Sequence, residues 1–352
     1  MSSSTSQTVS SSLMSDAPII SDDDASLLAE RFFDVRGTAQ SLKGERDQNF
    51  LIQGDKDKFV LKVTNPAEDR SVTDFHTQAL LHVAKVDPSL SVPRILPTRE
   101  GRHEAELRIG NGEPRVVRLL SFLPGAMAVH VPASPELRAG IGSVLARFDR
   151  ALEGFLHPAA DYELSWDLVH ASALRHLLSN VEDATNRRRV ERALDCFERD
   201  VVPVFPALRK QIIHNDLNPY NVLVSEEAPL RIFGVIDFGD MVRAPLINDL
   251  AIAASYHLSG ETDSLKPVCE MIEAYNRIVA LESAECDLLY DLIATRLAMT
   301  VLITEWRAAR FPENKTYILK NHPAATSGLE RLDGIPREQA QQRFRRICGL
   351  EA

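Results

Sequence analysis

At 352 residues, with 40 basic and 50 acidic side chains and a formal net charge of -10, the chain is long enough for two domains and lacks the basic balance that non-specific nucleic-acid binding favours. Its four cysteines, Cys196, Cys269, Cys286 and Cys348, form no CxxC pair, so they suggest neither a zinc site nor a disulfide framework and fit a reducing, cytoplasmic setting. No apolar run reaches membrane-spanning length, and the start "MSSSTSQTVSSSLMSDA" lacks the basic segment and apolar core of a secretory signal.

In chain order, residues 1–24 are Ser/Thr-rich and are expected to be a disordered tail. A first short helix is predicted over residues 27–33. The stretch "SLKGERDQNFLIQGDKDKFVLKV", residues 41–63, reads as a β-hairpin, alternating apolar and polar in its second half around a Gly-Asp-Lys-Asp turn at residues 54–57. Helical spacing of Phe75, Leu80, Leu81 and Val83 predicts a helix over residues 74–85, and Pro93 stops that element. Two further strands, residues 104–109 and 114–120, are joined by "GNGE". The Pro-Gly break in "SFLPGAM" marks a boundary between a first lobe, residues 25–123, and a second, residues 124–352. From Ser134 onward the chain is mostly helical, and no internal repeat is present. The pattern predicts a bilobal α+β protein with a small antiparallel β-rich lobe and a larger, mostly helical one.

The second lobe contains "IIHNDLNPYNVLV", a polar insert between two apolar strand segments, and then "GVIDFGD". Loops carried on regular structure often hold chemistry. Phosphoryl transfer to an alcohol needs a metal-clamped triphosphate, a cation near the phosphates and a carboxylate that orients the attacking hydroxyl. Asp216 and Asn221 have the H-x-D-x-x-x-x-N spacing of a kinase catalytic loop, which predicts Asp216 as the proton acceptor and Asn221 as a Mg²⁺ ligand. Asp237 in "VIDFGD" is the second expected metal ligand, and Mg²⁺ favours just such hard oxygen donors.

Upstream, "FVLKV" places Lys62 on a strand, where it is expected to pair with nucleotide phosphates. The turn "KGERDQN", which ends at Asn49, is expected to lie over the nucleotide, although it has a single glycine. The stretch "RLLSFLPG" contains Ser121 and Leu123, at the position of a hinge that would read the base through backbone groups.

Taken singly, each residue has an ordinary reading. Lys62 could be a solvated strand lysine, and Asp216 or Asn221 could be a turn residue. His214 reads as a side chain that holds the loop, and Asp249 as a helix N-cap. Kinases share the ordered set of Lys, hinge, H-x-D-x-x-x-x-N and I-D-F-G, and little else does.

These residues resemble the aminoglycoside phosphotransferase/choline kinase superfamily of kinase-like small-molecule phosphotransferases. Asn-Asp stands where protein kinases have Arg-Asp, and "IDFGDMVRAPLINDLAIAASY" passes almost directly into a helix with no long activation segment. Within the superfamily, "KGERDQNFLI", "KVTNPAEDRSVTDFHTQALLHV", "VIDFGDMVRAPLINDLAIA" and "NKTYILKN" resemble hydroxylysine kinases and the kinase-like domain fused to some class III aminotransferases.

The resemblance implies a protein-kinase-like fold, Mg²⁺, and ATP or GTP as donor. The implied acceptor is a small amine-bearing alcohol or hydroxylated amino acid, 5-hydroxylysine first, with no nucleic-acid or membrane partner. Antibiotic inactivation by phosphorylation, or a weakly catalytic binding module, is the alternative. The superfamily's helix glutamate that pairs with the strand lysine is replaced here by His76, which leaves Asp74 as the expected partner of Lys62. On the acceptor side, Asp240, Glu305 and Trp306 are the expected contacts, the Glu-Trp pair holding an ammonium by charge and cation–π attraction. The oligomeric state is open.

Overall fold

The computed structural model describes residues 19–44, 47–110, 112–225, 230–258, 260 and 262–350. The chain forms two compact units. The first is built from the chain up to Pro124 together with Phe155–Ser165 and Gly234–Ile236. The second comprises Gly125–Gly154, Trp166–Phe233 and the chain from Asp237 onward.

The first unit contains α1 (Asp22–Phe33), β1 (Gly37–Leu42), β2 (Gln48–Gly54), β3 (Lys58–Val63), α2 (Arg70–Val86), β4 (Ile95–Leu96), β5 (Ala105–Leu107) and β6 (Arg115–Ser121). The strands form one antiparallel sheet in the order β1-β2-β3-β6-β4, with β5 also on β6. On β3, Leu61 and Val63 are fully buried, and the strand period of two turns Lys62 to the other face. Phe50, Ile52, Leu61, Val63, Val117 and Leu119 pack with Leu28 and Phe33 of α1 in one core.

Two boundaries differ from the sequence reading. Residues 1–18 of the expected tail lie outside the described residues, but Asp22, Asp23 and Asp24 already belong to α1. Ser21 and Asp24 form a capping box there, and the three acidic side chains face the positive end of the helix dipole. Likewise α2 starts at Arg70, one turn before the apolar periodicity, because Asp69 accepts the Ser71 N–H at 2.8 Å.

The second unit contains β7 (Ala126–Met127), α3 (Pro135–Ala151), α4 (Ala184–Cys196), β8 (Lys210–Ile213), β9 (Val222–Val224), β10 (Ile232–Val235, whose last two residues belong to the first unit) and β11 (Val242–Pro245). Six helices follow: α5 (Ile247–Ser255), α6 (Lys266–Asn276), α7 (Ser283–Arg310), α8 (Lys315–Ile318), α9 (His322–Asp333) and α10 (Arg337–Ile347). The 28-residue α7 is the organising element, packed by α4, α5, α9 and α10.

The two strand segments around the polar insert do not pair with each other. β8 pairs with β11, and β9 lies between β7 and β10. The loop is therefore suspended between two small sheets rather than carried on one. The β8–β11 register sets Ile213 opposite Val242, so His214 and Met241 leave the pair at the same end. That register brings "HNDLNPYN" and "IDFGD" together.

No helix among the described residues is long and apolar enough to cross a membrane.

Candidate active site

In the second unit the loop after β8 is held from beneath. His214 is fully buried, and its ring packs with Phe148 at 5.7 Å and Phe238 at 5.0 Å between centroids. Its Nδ1 accepts the Asp216 N–H at 3.3 Å. Asp249, expected as a cap of its own helix, does something else. It lies in the first turn of α5, and its carboxylate accepts the backbone N–H groups of His214 and Asn215, both at 2.8 Å. Those two donors need an outside acceptor because Asn215 adopts a left-handed conformation, φ 65°, that breaks the strand ladder. Burial and the neighbouring Asp249 charge push the Asp149 carboxyl well above its usual range. Asp149 accepts the Tyr275 hydroxyl at 2.6 Å.

Only Asp34, Asn215 and Asp237 among the described non-glycine residues have positive φ, and two of the three stand in this site. Asn and Asp visit that region at the least cost, and such conformations cluster where chemistry needs them.

The Asp216 carboxylate is fixed on both oxygens. Oδ1 accepts from the Arg296 guanidinium at 3.0 Å, and Oδ2 accepts from the amides of Asn218 and Asn221, both at 2.9 Å. Burial raises the carboxyl above its usual range and the Asp237 charge adds to this, while Arg296 and Asn218 act in the opposite direction. Asn221 spends its Nδ2 on Asp216, on the carboxylate and on the main-chain oxygen at 2.8 Å. Its amide oxygen is thereby turned away from Asp216. That oxygen and the exposed Asp237 carboxylate are hard oxygen donors, the kind that Mg²⁺ favours. No group of three or more His, Cys, Asp or Glu able to hold a metal is present among the described residues, so a closed zinc-type site has no ligands there.

Arg296 was invisible in the sequence. It sits on α7 with its side chain 2% exposed, donates to the Trp166 carbonyl at 2.9 Å, and lies over the Trp166 ring at 4.9 Å. Removing it would leave a largely buried carboxylate without its cation, a change that typically costs about 3 kcal/mol or more. Arg296→Met is expected to lower stability by about that amount in a urea titration. A loss below about 1 kcal/mol would mean that solvent already screens the pair.

Among the described residues, no hydrogen bond, ion pair or ring contact joins Glu305 or Trp306 to the loop. Glu305 lies nine residues beyond Arg296 on α7, about 13 Å along the axis and half a turn round the helix. Its oxygens are both occupied, by the His322 ring at 2.7 Å and the Glu182 N–H at 3.1 Å. It fastens α9 and the segment before α4 to α7. Trp306 stacks with Arg310 at 5.3 Å. The tryptophan beside the loop is Trp166. Asp240 does stand in the turn between Asp237 and β11.

In the first unit, Lys62 lies between Asn49 on β2 and Arg118 on β6. Its ammonium is 3.8 Å from Asp47, which also accepts the Asn65 N–H at 3.2 Å. Asp74, the expected partner, instead engages Gln78 at 3.1 Å and His157 at 3.2 Å. The carboxylate nearest Lys62 thus comes from Asp47, directly before β2, and not from α2, where His76 is buried. Glu45 and Arg46 of the turn lie outside the described residues. The buried Asn49 Oδ1 has no hydrogen-bond partner among the described residues. The Ser121 N–H donates to the Arg94 carbonyl at 2.9 Å, and the Arg94 N–H donates to the Ser121 hydroxyl at 2.9 Å. Leu123 packs on Gly234, where an added Cβ would meet its Cδ1 at 2.5 Å and the Ser91 carbonyl at 3.0 Å, so a larger residue would have to displace the leucine side chain.

Residues 38–281 match the family described as the phosphotransferase enzyme family. The hydroxylysine kinase of Xenopus laevis is 26% identical over 352 residues, covering 94% of this chain and 94% of that protein. A microcompartment-associated aminopropanol kinase shares the fold with a TM-score of 0.64 at 20% identity, covering 93% of this chain and 98% of that one. An amicoumacin kinase, solved with AMP-PNP and Ca²⁺, gives a TM-score of 0.63 at 14% identity, covering 88% and 92%. The matched segment spans more than half of the chain and contains the loop, the Asp237 segment and Lys62, and the chain belongs to the phosphotransferase enzyme family, with a kinase-like fold and transfer to a hydroxyl group as its activity.

Proposed function

We propose that this small-molecule kinase uses Mg²⁺ with ATP or GTP to phosphorylate an amine-bearing alcohol, and that 5-hydroxylysine is its acceptor. The observation that carries the reading is the Asp216 carboxylate, locked by three donors on a loop whose backbone Asp249 holds. A binding module has no need of such a group. The hydroxylysine kinase relative, similar over nine-tenths of both chains, supports the acceptor.

In this reading Asp216 accepts the acceptor's hydroxyl proton as its oxygen forms a bond to the γ-phosphorus. The bond from that phosphorus to the β–γ bridging oxygen breaks, and the nucleoside diphosphate leaves. A carboxyl raised by burial receives that proton more readily than an exposed one. Asn221 and Asp237 would hold Mg²⁺, which neutralises phosphate charge when bound. Lys62, its ammonium set by Asp47, supplies a cation for phosphate oxygens. The Leu123 backbone makes no backbone hydrogen bond among the described residues, which leaves its groups for a base. Asp240, in the turn after Asp237, would attract an ammonium.

The test is a screen. The purified protein is given Mg-ATP or Mg-GTP with 5-hydroxylysine, aminopropanol, glycerol and an aminoglycoside, and diphosphate release is followed. The expected result is the highest kcat/KM for 5-hydroxylysine, with phosphorus NMR placing the phosphate on its hydroxyl. A preference for glycerol or the aminoglycoside would end the hydroxylysine assignment and leave the kinase intact.

A further inference from the structure

We propose that Lys320 recognises the acceptor's carboxylate and so makes the enzyme select a hydroxylated amino acid over a simple amino alcohol. The inference rests on the acceptor class given above. Such an acceptor has an ammonium on the carbon next to the hydroxyl and a carboxylate four carbons from the carbinol. The acidic groups Asp216, Asp237 and Asp240 suit the first end and repel the second. A chain of net charge -10 also offers no general attraction for an anion. A cation must therefore stand near the loop, and one that is not already spent.

Arg296 is spent, on Asp216 and the Trp166 carbonyl. Lys320 is not. It is exposed, in the turn between α8 and α9, and its Nζ lies 4.8 Å from the ring centre of Tyr220 and 4.4 Å from that of Tyr317. The Tyr317 hydroxyl is 3.4 Å away, and none of these contacts is with a carboxylate. Aromatic faces attract and orient an ammonium without neutralising it, so the full charge remains for an anion.

The position is specific too. Tyr220 belongs to the catalytic loop itself, four residues after Asp216 and directly before Asn221, with its N–H fixed by the Asn218 side chain at 2.8 Å. Asn218 also holds Asp216. One short network thus links the proton acceptor to the residue against which Lys320 is braced. Tyr317 and Lys320 both come from "NKTYILKN", a segment that no other part of the mechanism uses.

The experiment compares 5-hydroxylysine with 1,5-diaminopentan-2-ol, the same molecule without its carboxylate, in the full-length protein. Lys320→Met is expected to raise KM for 5-hydroxylysine about tenfold, as loss of a charged hydrogen bond does, with kcat little changed. The KM for the diamine should stay within about twofold, and Lys320→Arg should recover most of the affinity for 5-hydroxylysine. Equal shifts for both acceptors would make Lys320 a brace for Tyr220, and no shift for either would make it a surface lysine; both overturn the inference while the kinase assignment stands. If the parent protein phosphorylates neither molecule, the acceptor class itself is wrong and the role of Lys320 falls with it.

Discussion

Asp216→Asn is expected to lower the phosphoryl-transfer rate by roughly 10²–10⁴-fold, the span associated with a positioned acid–base group. The substitution does more than remove a proton acceptor. The wild-type carboxylate is surrounded by donors, Arg296 on one oxygen and the amides of Asn218 and Asn221 on the other. An asparagine must point its NH₂ at one of these sets, so a donor meets a donor and a buried hydrogen bond is lost. Some loss of stability, about 1–3 kcal/mol, is expected beside the rate effect. Isothermal titration with Mg-nucleotide separates the two, because Asp237 and Lys62 are untouched and binding should persist. Turnover within a few-fold of the parent, in a variant that still binds nucleotide, would remove Asp216 from the role of proton acceptor.

Loss of the Asp237 carboxylate should raise the Mg²⁺ requirement more than loss of Asn221. A carboxylate meets the ion with full charge, whereas an amide oxygen offers a dipole. Asp237 has φ 64°, where alanine is strained, so Asp237→Asn is the cleaner variant because asparagine tolerates that backbone. The structure also separates the two proposed ligands in kind. Asn221 ties down the Asp216 carboxylate and main-chain oxygen, so Asn221→Ala should depress kcat even at saturating Mg²⁺. Asp237→Asn should be partly rescued by added Mg²⁺. A Mg²⁺ titration of both variants checks this, and the reverse pattern would exchange the two roles.

Much of this protein could be read from its sequence because the relevant signals are local. Strand alternation set Lys62 on the face opposite Leu61 and Val63. The H-x-D-x-x-x-x-N spacing put Asp216 and Asn221 in one loop, and their hydrogen bond at 2.9 Å is a consequence of that loop's length. The apolar period gave α2, though not its first turn, because an Asp cap and an Arg-Ser opening carry no hydrophobic signal.

Pairing across the fold was beyond reach for a physical reason: electrostatic and hydrogen-bond partners are chosen by spatial approach, and sequence separation does not record it. Arg296 lies 80 residues from Asp216, and nothing distinguishes it in sequence from the other arginines. Asp249 read as a helix cap, since an aspartate in a first turn usually faces its own helix dipole. The suspended loop instead presented two unpaired N–H groups to it. Lys62 drew its carboxylate from the turn rather than from α2. Glu305, plausible beside Trp306 as an adjacent pair, has its oxygens taken by His322 and the Glu182 N–H. Composition and spacing determined which chemistry the chain carries, while the register of β8 on β11 and the rotation of α7 decided which side chains surround it.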